Sequence, residues 1–411
     1  MSTRPCYDLF EAFGVELEYM IVDRVTLAVR PLADVLIHEK TGQYVADVDN
    51  GPVAWSNELV NHVVELKTNG PAPLLDGLAA LFHANVVEIN ERLRPHGAML
   101  LPTGAHPLMD PRTETHLWPH EYNEVYSLYN RLFDCRGHGW ANLQSTHLNL
   151  PFRDEDGFGR LHAAIRVLLP VIPALSASTP LLDGALTGFA DSRLETYRHN
   201  QDRFPVITGR VIPEAVFTKA DYHRRIYRPI NEALRPFDTD GVLDHTFVNS
   251  RGAIARFDRN AIEIRIIDLQ ECPAADLAIL AGVVAVLRAL VAERWVPLAA
   301  VKTWHEDALA AIFLDVVRHA ERAVITDRAY LRLFGLEASE ATAGALWRHL
   351  VAAMRDDLPG DAAGVLEHLL TQGSLATRIT RRLGDDVTPG RIREVYHELA
   401  ACLAENRLFE A

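Results

Sequence analysis

Cysteine is scarce in this chain: Cys6, Cys135, Cys272 and Cys402 are the four among 411 residues. They lie far apart and form no CxxC, which excludes a disulfide framework and a cysteine-based zinc site. Such usage fits a reducing compartment and predicts a cytoplasmic protein. Positive charge is also in deficit, with 41 Lys and Arg against 55 Asp and Glu, for a net charge of −14. A chain this acidic is expected to have neither nucleic acid nor an anionic membrane as a general partner. Long apolar runs are few. The most apolar, Leu277–Ala292, is interrupted by Arg288 and reads as a buried helix, too short to span a bilayer comfortably. The N-terminal stretch, Met1–Gly14, shows no apolar leader core. Also missing are GxxxxGK(S/T), GxGxxG, HExxH and GxSxG, which removes the commonest NTPase, dinucleotide, metalloprotease and hydrolase readings.

What is present begins at Phe13–Asp23, FGVELEYMIVD. Val15, Leu17, Tyr19 and Ile21 alternate with the period of a strand, after Gly14 at its start. The same alternation puts Glu16 and Glu18 together on the other face, roughly 7 Å apart. Like charges that close raise each other's pKa unless a cation lies between them, and a hard divalent ion suits carboxylate oxygens. A solvated edge strand would show the same pattern, so later stretches must supply matching groups.

They do. In WSNELVNHVVELKT, Trp55–Thr68, the segment Val63–Thr68 alternates as a strand with Glu65 and Lys67 on one face. Glu58 precedes Glu65 by seven residues; on a continuous helix the two would share a face, and in a loop leading to a strand Glu58 would fold back over it. In NLQSTHLNLP, Asn142–Pro151, alternation places Ser145, His147 and Asn149 together. In AIARFDRNAIEIRIID, Ala253–Asp268, it places Glu263, Arg265 and Ile267 on one face and Ile262, Ile264, Ile266 and Asp268 on the other. A charged pair on an Ile-rich strand must face a cavity or a partner. Between them, Arg193–Arg228 holds eight basic residues against four acidic ones. Arg193, Arg198, Arg203, Arg210, Lys219, Arg224, Arg225 and Arg228 would suit polyphosphate and a substrate carboxylate, because Arg forks match those oxygens.

The remaining elements are read as cover. Thr26–Asp47 reads as a hairpin with a connecting loop, Leu74–Arg94 and Arg160–Leu169 as helices, and Ala98–Thr103 as a strand. His106, beside a turn, reads as structural. Pro173–Thr187 is rich in small residues and reads as a helix end with a loop, and Cys272-Pro273 opens a helix to about Arg294. Beyond residue 300 the periodicity is helical, over His305–Arg322, Glu340–Met354, Ala362–Thr371 and Thr388–Glu405, with Arg378, Arg381 and Arg382 read as a surface helix end.

Five of these stretches, in this order, resemble the glutamate–cysteine ligase family, its second group of bacterial carboxylate–amine ligases included. GVELEYMIVD is similar to the family's Gly-x-Glu-x-Glu strand, and Glu58 to Glu65, ending in ELKT, to its second acidic motif. THLNLP resembles its His strand, although without the doubled His common in the second group. GALTGFADSR resembles its Gly- and Arg-containing loop, and AIEIRIID its Glu-x-Arg strand. The resemblance implies an α+β fold of the glutamine synthetase type: a curved, mostly antiparallel sheet forming a funnel, with helices outside. It implies one catalytic domain over 1–411, with a sheet core at about 13–294 and a helical cover at about 300–411. Glu16, Glu18, Glu58, Glu65, His147 and Glu263 would surround two or three Mg2+ ions, and Arg265, with Glu263 beside it, would serve catalysis at the transferred phosphoryl group. Arg193, Arg198, Asn149 and Lys219 would bind substrate or ATP. The implied activity is ATP-dependent joining of a glutamate-like acid to an amine such as cysteine through an acyl phosphate. A guanidino-type phosphotransferase on the same architecture, or a non-catalytic nucleotide-binding protein, are the competing readings. Self-association is left open.

Overall fold

Apolar alternation on successive strands dictates a sheet with one greasy face, and the computed structural model, which describes residues 6–239, 241–243 and 248–411, contains it. Residues 1–5, within the N-terminal stretch read above, lie outside those described. The main sheet is built from β1 (Gly14–Asp23), β2 (Asp47–Val48), β3 (Val53–Asn57), β4 (Val63–Thr68), β5 (Ala98–Leu101) and β6 (Ser145–Pro151). A hairpin of β7 (Leu181–Leu182) and β8 (Ala185–Leu186) stands apart from it, and β9 (Ala253–Arg256) and β10 (Ala261–Asp268) complete it. The order is β2-β3-β4-β1-β6-β10-β9, with β5 beside the far end of β1, and every pairing is antiparallel. Central β1 therefore has β4 on one side and β6 on the other.

Val15, Leu17, Tyr19 and Ile21 are fully buried on the apolar face, each worth about 1.5–3 kcal/mol of burial. Helices Leu78–Leu93, Glu155–Leu168 and Pro273–Val291 cover that face, and the last of them contacts the other two. At 19 residues, Pro273–Val291 is long and apolar enough to cross a membrane, contrary to the sequence reading of its length. What marks it as core is that almost every residue is buried against other helices. The second face of β1 changes character along its length: Glu16 and Glu18 are followed by Met20 and Val22, which pack under the C-terminal helix Pro389–Glu405 through Ile392, Val395 and Leu399. The polar half of the face is left to line a cavity, and the helical remainder closes over the apolar half.

Four expectations are corrected. The stretch Thr26–Asp47 holds a helix, Ala33–Thr41, capped by Gly42 in the left-handed conformation. The stretch Ala253–Asp268 is two strands joined by a turn at 257–260, where Asn260 has φ +52°. A β-bulge between Ile264 and Ile267 then inverts the end of β10, pairing Ile267 with Thr146 and Asp268 with Ser145. Directly opposed residues share a face, so Asp268 joins the polar face and Ile267 the core, the reverse of simple alternation. Arg378 is fully buried against Glu271, with Nη1 2.5 Å from Oε1, while only Arg381 and Arg382 reach the surface.

Candidate active site

The polar side chains of β1, β4, β6 and β10 meet in one cavity of about 330 Å³. Strand register explains the meeting. Glu16 lies opposite His147 across β1–β6, and Glu18 lies opposite Glu65 across β1–β4. Glu58, in the loop after β3, folds back over the strands and lines the same cavity. The loop alternative is therefore the correct one.

The carboxylates form two groups. Ligand atoms of Glu16, Glu65 and His147 lie within 4.8 Å of one another, as do those of Glu18, Glu58 and Glu65. Glu65 belongs to both. His147 Nδ1 is 2.8 Å from Glu16 Oε2, and its Nε2 is 2.9 Å from Ser145 Oγ. Glu18 accepts from the Ser145 amide at 2.6 Å and hydroxyl at 2.9 Å, and Asn149 donates to Glu16 at 3.1 Å. Ser56 donates to Glu65 at 2.6 Å, and Lys67 Nζ lies 3.3 Å from the same oxygen and 2.6 Å from Asp47.

Electrostatics separates these groups. Burial pushes the Glu16 carboxyl up, but the hydrogen bond and charge of His147, with Lys67 and Arg265 behind them, bring it down to about 2. Burial, then the charge of Glu16, raises Glu65 to about 7 against the pull of Lys67. Burial and three neighbouring carboxylates raise Glu58 well above the ordinary carboxylate range. Carboxylates held together at such cost are under-compensated, and their oxygen-rich donor set suits a hard divalent cation such as Mg2+. A cation bound there would compete with a proton for Glu65. Below its pKa the proton occupies the carboxylate, so Mg2+ binding would strengthen as pH rises through 7. The Mg2+-induced rise in Tm is expected to be larger at pH 8 than at pH 5; an equal rise at both would refute the competition.

Glu263 lines the same cavity. It belongs to neither carboxylate group; its oxygens lie 3.3 Å from Arg256 Nη1 and 3.4 Å from Arg265 Nε. Arg265 is held in its charged form, since Tyr197, then Glu263, Glu18 and Glu16, outweigh the cost of its partial burial. Arg193 is buried and engaged with Asp268 at 2.5 Å, and it still lines the cavity. Asp268 in turn accepts from Ser178 and Thr179, so the inverted end of β10 anchors the loop that carries Arg193.

Apart from Arg193, the basic residues of the segment do not line this cavity. Arg198 pairs with Glu195 at 2.7 Å, Arg210 with Asp307 at 2.8 Å, Arg224 with Asp221 at 2.5 Å and Arg228 with Glu232 at 2.8 Å. Arg198 lies outside the lining of the cavity. Lys219 lines an adjoining chamber of about 790 Å³, its Nζ 5.2 Å from the Phe257 ring centre. The cations that line the cavity with the carboxylates are Arg193, Lys67, Arg256, Arg259 and Arg265. Lys67 and Arg259 also line both adjoining chambers, the second of about 600 Å³. Alternation had placed Lys67 and Ser145 on the polar face without a role. Nothing in the sequence pointed to Arg256 and Arg259, because the turn between β9 and β10 was read as continuous strand.

Gly14 explains its place in the first motif. It lies opposite Asn149, and a Cβ there would sit 2.9 Å from the Asn149 Cβ. Gly14→Ala is expected to displace Asn149 from Glu16 and to cost about 1–3 kcal/mol in urea unfolding; unchanged stability would count against this packing role.

Comparison with known proteins adds the context. The family model described as glutamate-cysteine ligase family 2 matches residues 12–398. A protein of Archaeoglobus fulgidus, described only as uncharacterized, is 34% identical over 337 residues, 80% of this chain and 90% of that one. A putative glutamate–cysteine ligase 2-3 of Paenarthrobacter aurescens is 27% identical over 284 residues, 68% of this chain and 58% of its own length. A putative glutamate–cysteine ligase 2 of Corynebacterium glutamicum is 26% identical over 188 residues, 45% of this chain and 46% of its own length. The chain thus spans about half the length of these two bacterial relatives. The solved glutamate–cysteine ligase of Francisella tularensis in complex with AMP superposes with a TM-score of 0.58 at 13% identity, over 96% of this chain and 91% of that one. A bifunctional glutathione synthetase of Pasteurella multocida gives 0.57 at 13% identity, over 96% of this chain and 52% of that one. These two establish a shared fold.

Proposed function

Because the chain belongs to glutamate–cysteine ligase family 2, we propose that its acidic cavity joins a carboxylic acid to an amine at the expense of ATP. The observation that carries the reading is the pair of donor groups sharing Glu65, with Arg265 lining the same cavity. Glu16, Glu65 and His147 would hold one Mg2+, and Glu18, Glu58 and Glu65 a second. The bound ions supply positive charge toward the triphosphate and the group in transfer.

In this reading the acid is glutamate or a close analogue, its side-chain carboxylate attacks the γ-phosphorus of ATP, and ADP leaves. The amine, cysteine or another amino acid, then displaces orthophosphate from the acyl phosphate and yields an amide. The chain's own work is placement and charge. Arg265 faces the transferred phosphoryl oxygens, and Glu263 positions it. Lys67 and Arg259, at the junction of three chambers, contact ATP or acid oxygens, and Asn149 fixes the Glu16 carboxylate. The described chain acts as one catalytic unit, its C-terminal helices supporting the strand that carries Glu16 and Glu18.

The test is release of ADP and orthophosphate over a matrix of acidic amino acids and amines with Mg2+-ATP. Stoichiometric ADP, orthophosphate and amide are expected for at least one pair. ADP with a phosphorylated amine and no orthophosphate would replace the reading with a phosphotransferase. No Tm rise with Mg2+-ATP would remove nucleotide chemistry altogether.

A further inference from the structure

With 55 acidic residues against 41 basic ones, the chain has carboxylates to spare for its surface arginines. A cavity of about 480 Å³ departs from that expectation. It shares no lining residue with the acidic cavity or its two adjoining chambers. Arg318, Arg322 and Arg381 line it, and among the described residues no Asp or Glu does. Arg318 lies in the last turn of the helix Glu306–His319, Arg322 ends the short turn after it, and Arg381 comes from the helix Leu375–Leu383. Cations are favoured near helix C-termini by the macrodipole, which accounts for each arginine singly. It does not account for three of them, from separate elements, around one hollow without an acid.

The three charges are not neutralised from within. Among the described residues neither Arg318 nor Arg322 has a carboxylate partner. Arg318 rests over the Phe189 ring, 4.5 Å from its centre, which holds the guanidinium at the cavity wall. Arg381 bonds only Gln372, its backbone carbonyl at 2.8 Å and its side-chain oxygen at 3.4 Å, so the fork is oriented and keeps its charge. Its neighbours on the same helix differ: Arg382 pairs with Glu398 at 2.7 Å and Arg378 with Glu271. Glu321, next to Arg322, is engaged by Thr377 at 2.6 Å and by the Ser374 amide at 3.4 Å. The hydroxyls of Thr377 and Thr380 line the cavity but donate to Glu321 and to the Ala376 carbonyl, so binding an anion falls to the arginines. Pro180, Leu186 and Phe189 form the apolar side. Guanidinium forks match phosphate and carboxylate oxygens, and three of them suit a ligand with more than one such group. The volume falls within the range of about 300–1,000 Å³ usual for small-molecule sites. We propose that this cavity binds a small polyanion, carrying two or more phosphate or carboxylate groups, at a site separate from the acidic cavity. The site does not depend on the ligase reading.

The experiment is calorimetric titration of the full chain at fixed ionic strength. No divalent cation is added, so that the carboxylates of the acidic cavity repel a polyanion. The probes are pyrophosphate, citrate and inorganic phosphate. Pyrophosphate or citrate is expected to bind once per chain and more tightly than inorganic phosphate, which reaches fewer arginines. The tighter of the two identifies the anionic group. Arg322→Gln and Arg381→Gln remove exposed side chains from two different elements, so both variants should fold, as their Tm values will check. Each is expected to weaken that probe by roughly tenfold or more in Kd, the loss of one charge-assisted contact. Arg265→Ala, in the acidic cavity, is expected to bind it as wild type does. Absence of binding by both probes, an unchanged Kd in either Gln variant, or loss of binding in Arg265→Ala overturns the proposal. Sedimentation covers the remaining occupant: a dimer that Arg322→Gln dissociates would assign the arginines to an acidic face of a second copy and remove the small-molecule site.

Discussion

Glu65→Gln is expected to lower kcat by about 10³-fold or more, the largest loss of any single substitution in the cavity. Glu65 is the carboxylate common to both donor groups, so neutralising it weakens two cation positions at once. A bound cation contributes several kcal/mol of charge stabilisation in phosphoryl transfer, and losing one electrostatic partner alone costs on the order of 10²–10³. The variant should fold. Glutamine has the same shape, and Ser56 still donates to its oxygen. The raised pKa of Glu65 means that burial disfavours its charged form. That disfavour sets in as pH rises past the unfolded value of 4.5 and is complete above about 7, so without Mg2+ the stability of the variant relative to wild type should be greater at pH 8 than at pH 4. Tm titration with Mg2+ completes the test: wild type gains stability, and Glu65→Gln gains much less. A folded Glu65→Gln enzyme with wild-type turnover would remove the metal assignment.

Arg265→Ala comes second, with an expected loss of about 10²–10³-fold in kcat. Its guanidinium lies beside Glu263 in the cavity and is the charge placed to meet negative charge that develops on the phosphoryl oxygens. An interaction made in the transition state lowers kcat and kcat/KM together, with KM for the acid little changed. Arg265→Lys keeps the charge and loses the planar fork, so it should recover only part of the loss. If Arg265→Ala instead raised KM for ATP at unchanged kcat, Arg265 would be a ground-state nucleotide contact. Glu263→Gln discriminates further: as the residue that positions Arg265, it should lower kcat less than Arg265→Ala and leave the Mg2+ dependence unchanged. A shift in Mg2+ dependence would restore Glu263 to the metal set.

The polar face was legible because β-strands enforce a period of two. Once Val15, Leu17, Tyr19 and Ile21 were assigned inward, Glu16 and Glu18 had no other direction, and the same holds for Glu65 with Lys67 and for Ser145, His147 and Asn149. The apolar weight of Leu277–Ala292 likewise required burial. Two kinds of feature were not legible. One depends on breaks in the period: the turn at 257–260 and the bulge before Ile267 each reverse which residues face inward, and neither carries a glycine or proline to announce it. Arg256, Arg259 and Asp268 were missed for that reason. The other depends on partners distant in sequence. The eight basic residues of Arg193–Arg228 suggested a polyphosphate site by count, yet Arg193 and Arg210 are met by Asp268 and Asp307 from far along the chain. Arg378 looked like surface decoration until the fold set Glu271 against it.

The order of residues along the chain determined which side chains share a strand face, because alternation is a local property of extended backbone. Which strands lie side by side is a long-range matter of core packing and hydrogen-bond register. That register alone decided that Glu18 faces Glu65, that His147 faces Glu16, and that Glu263 stands beside Arg256 and Arg265.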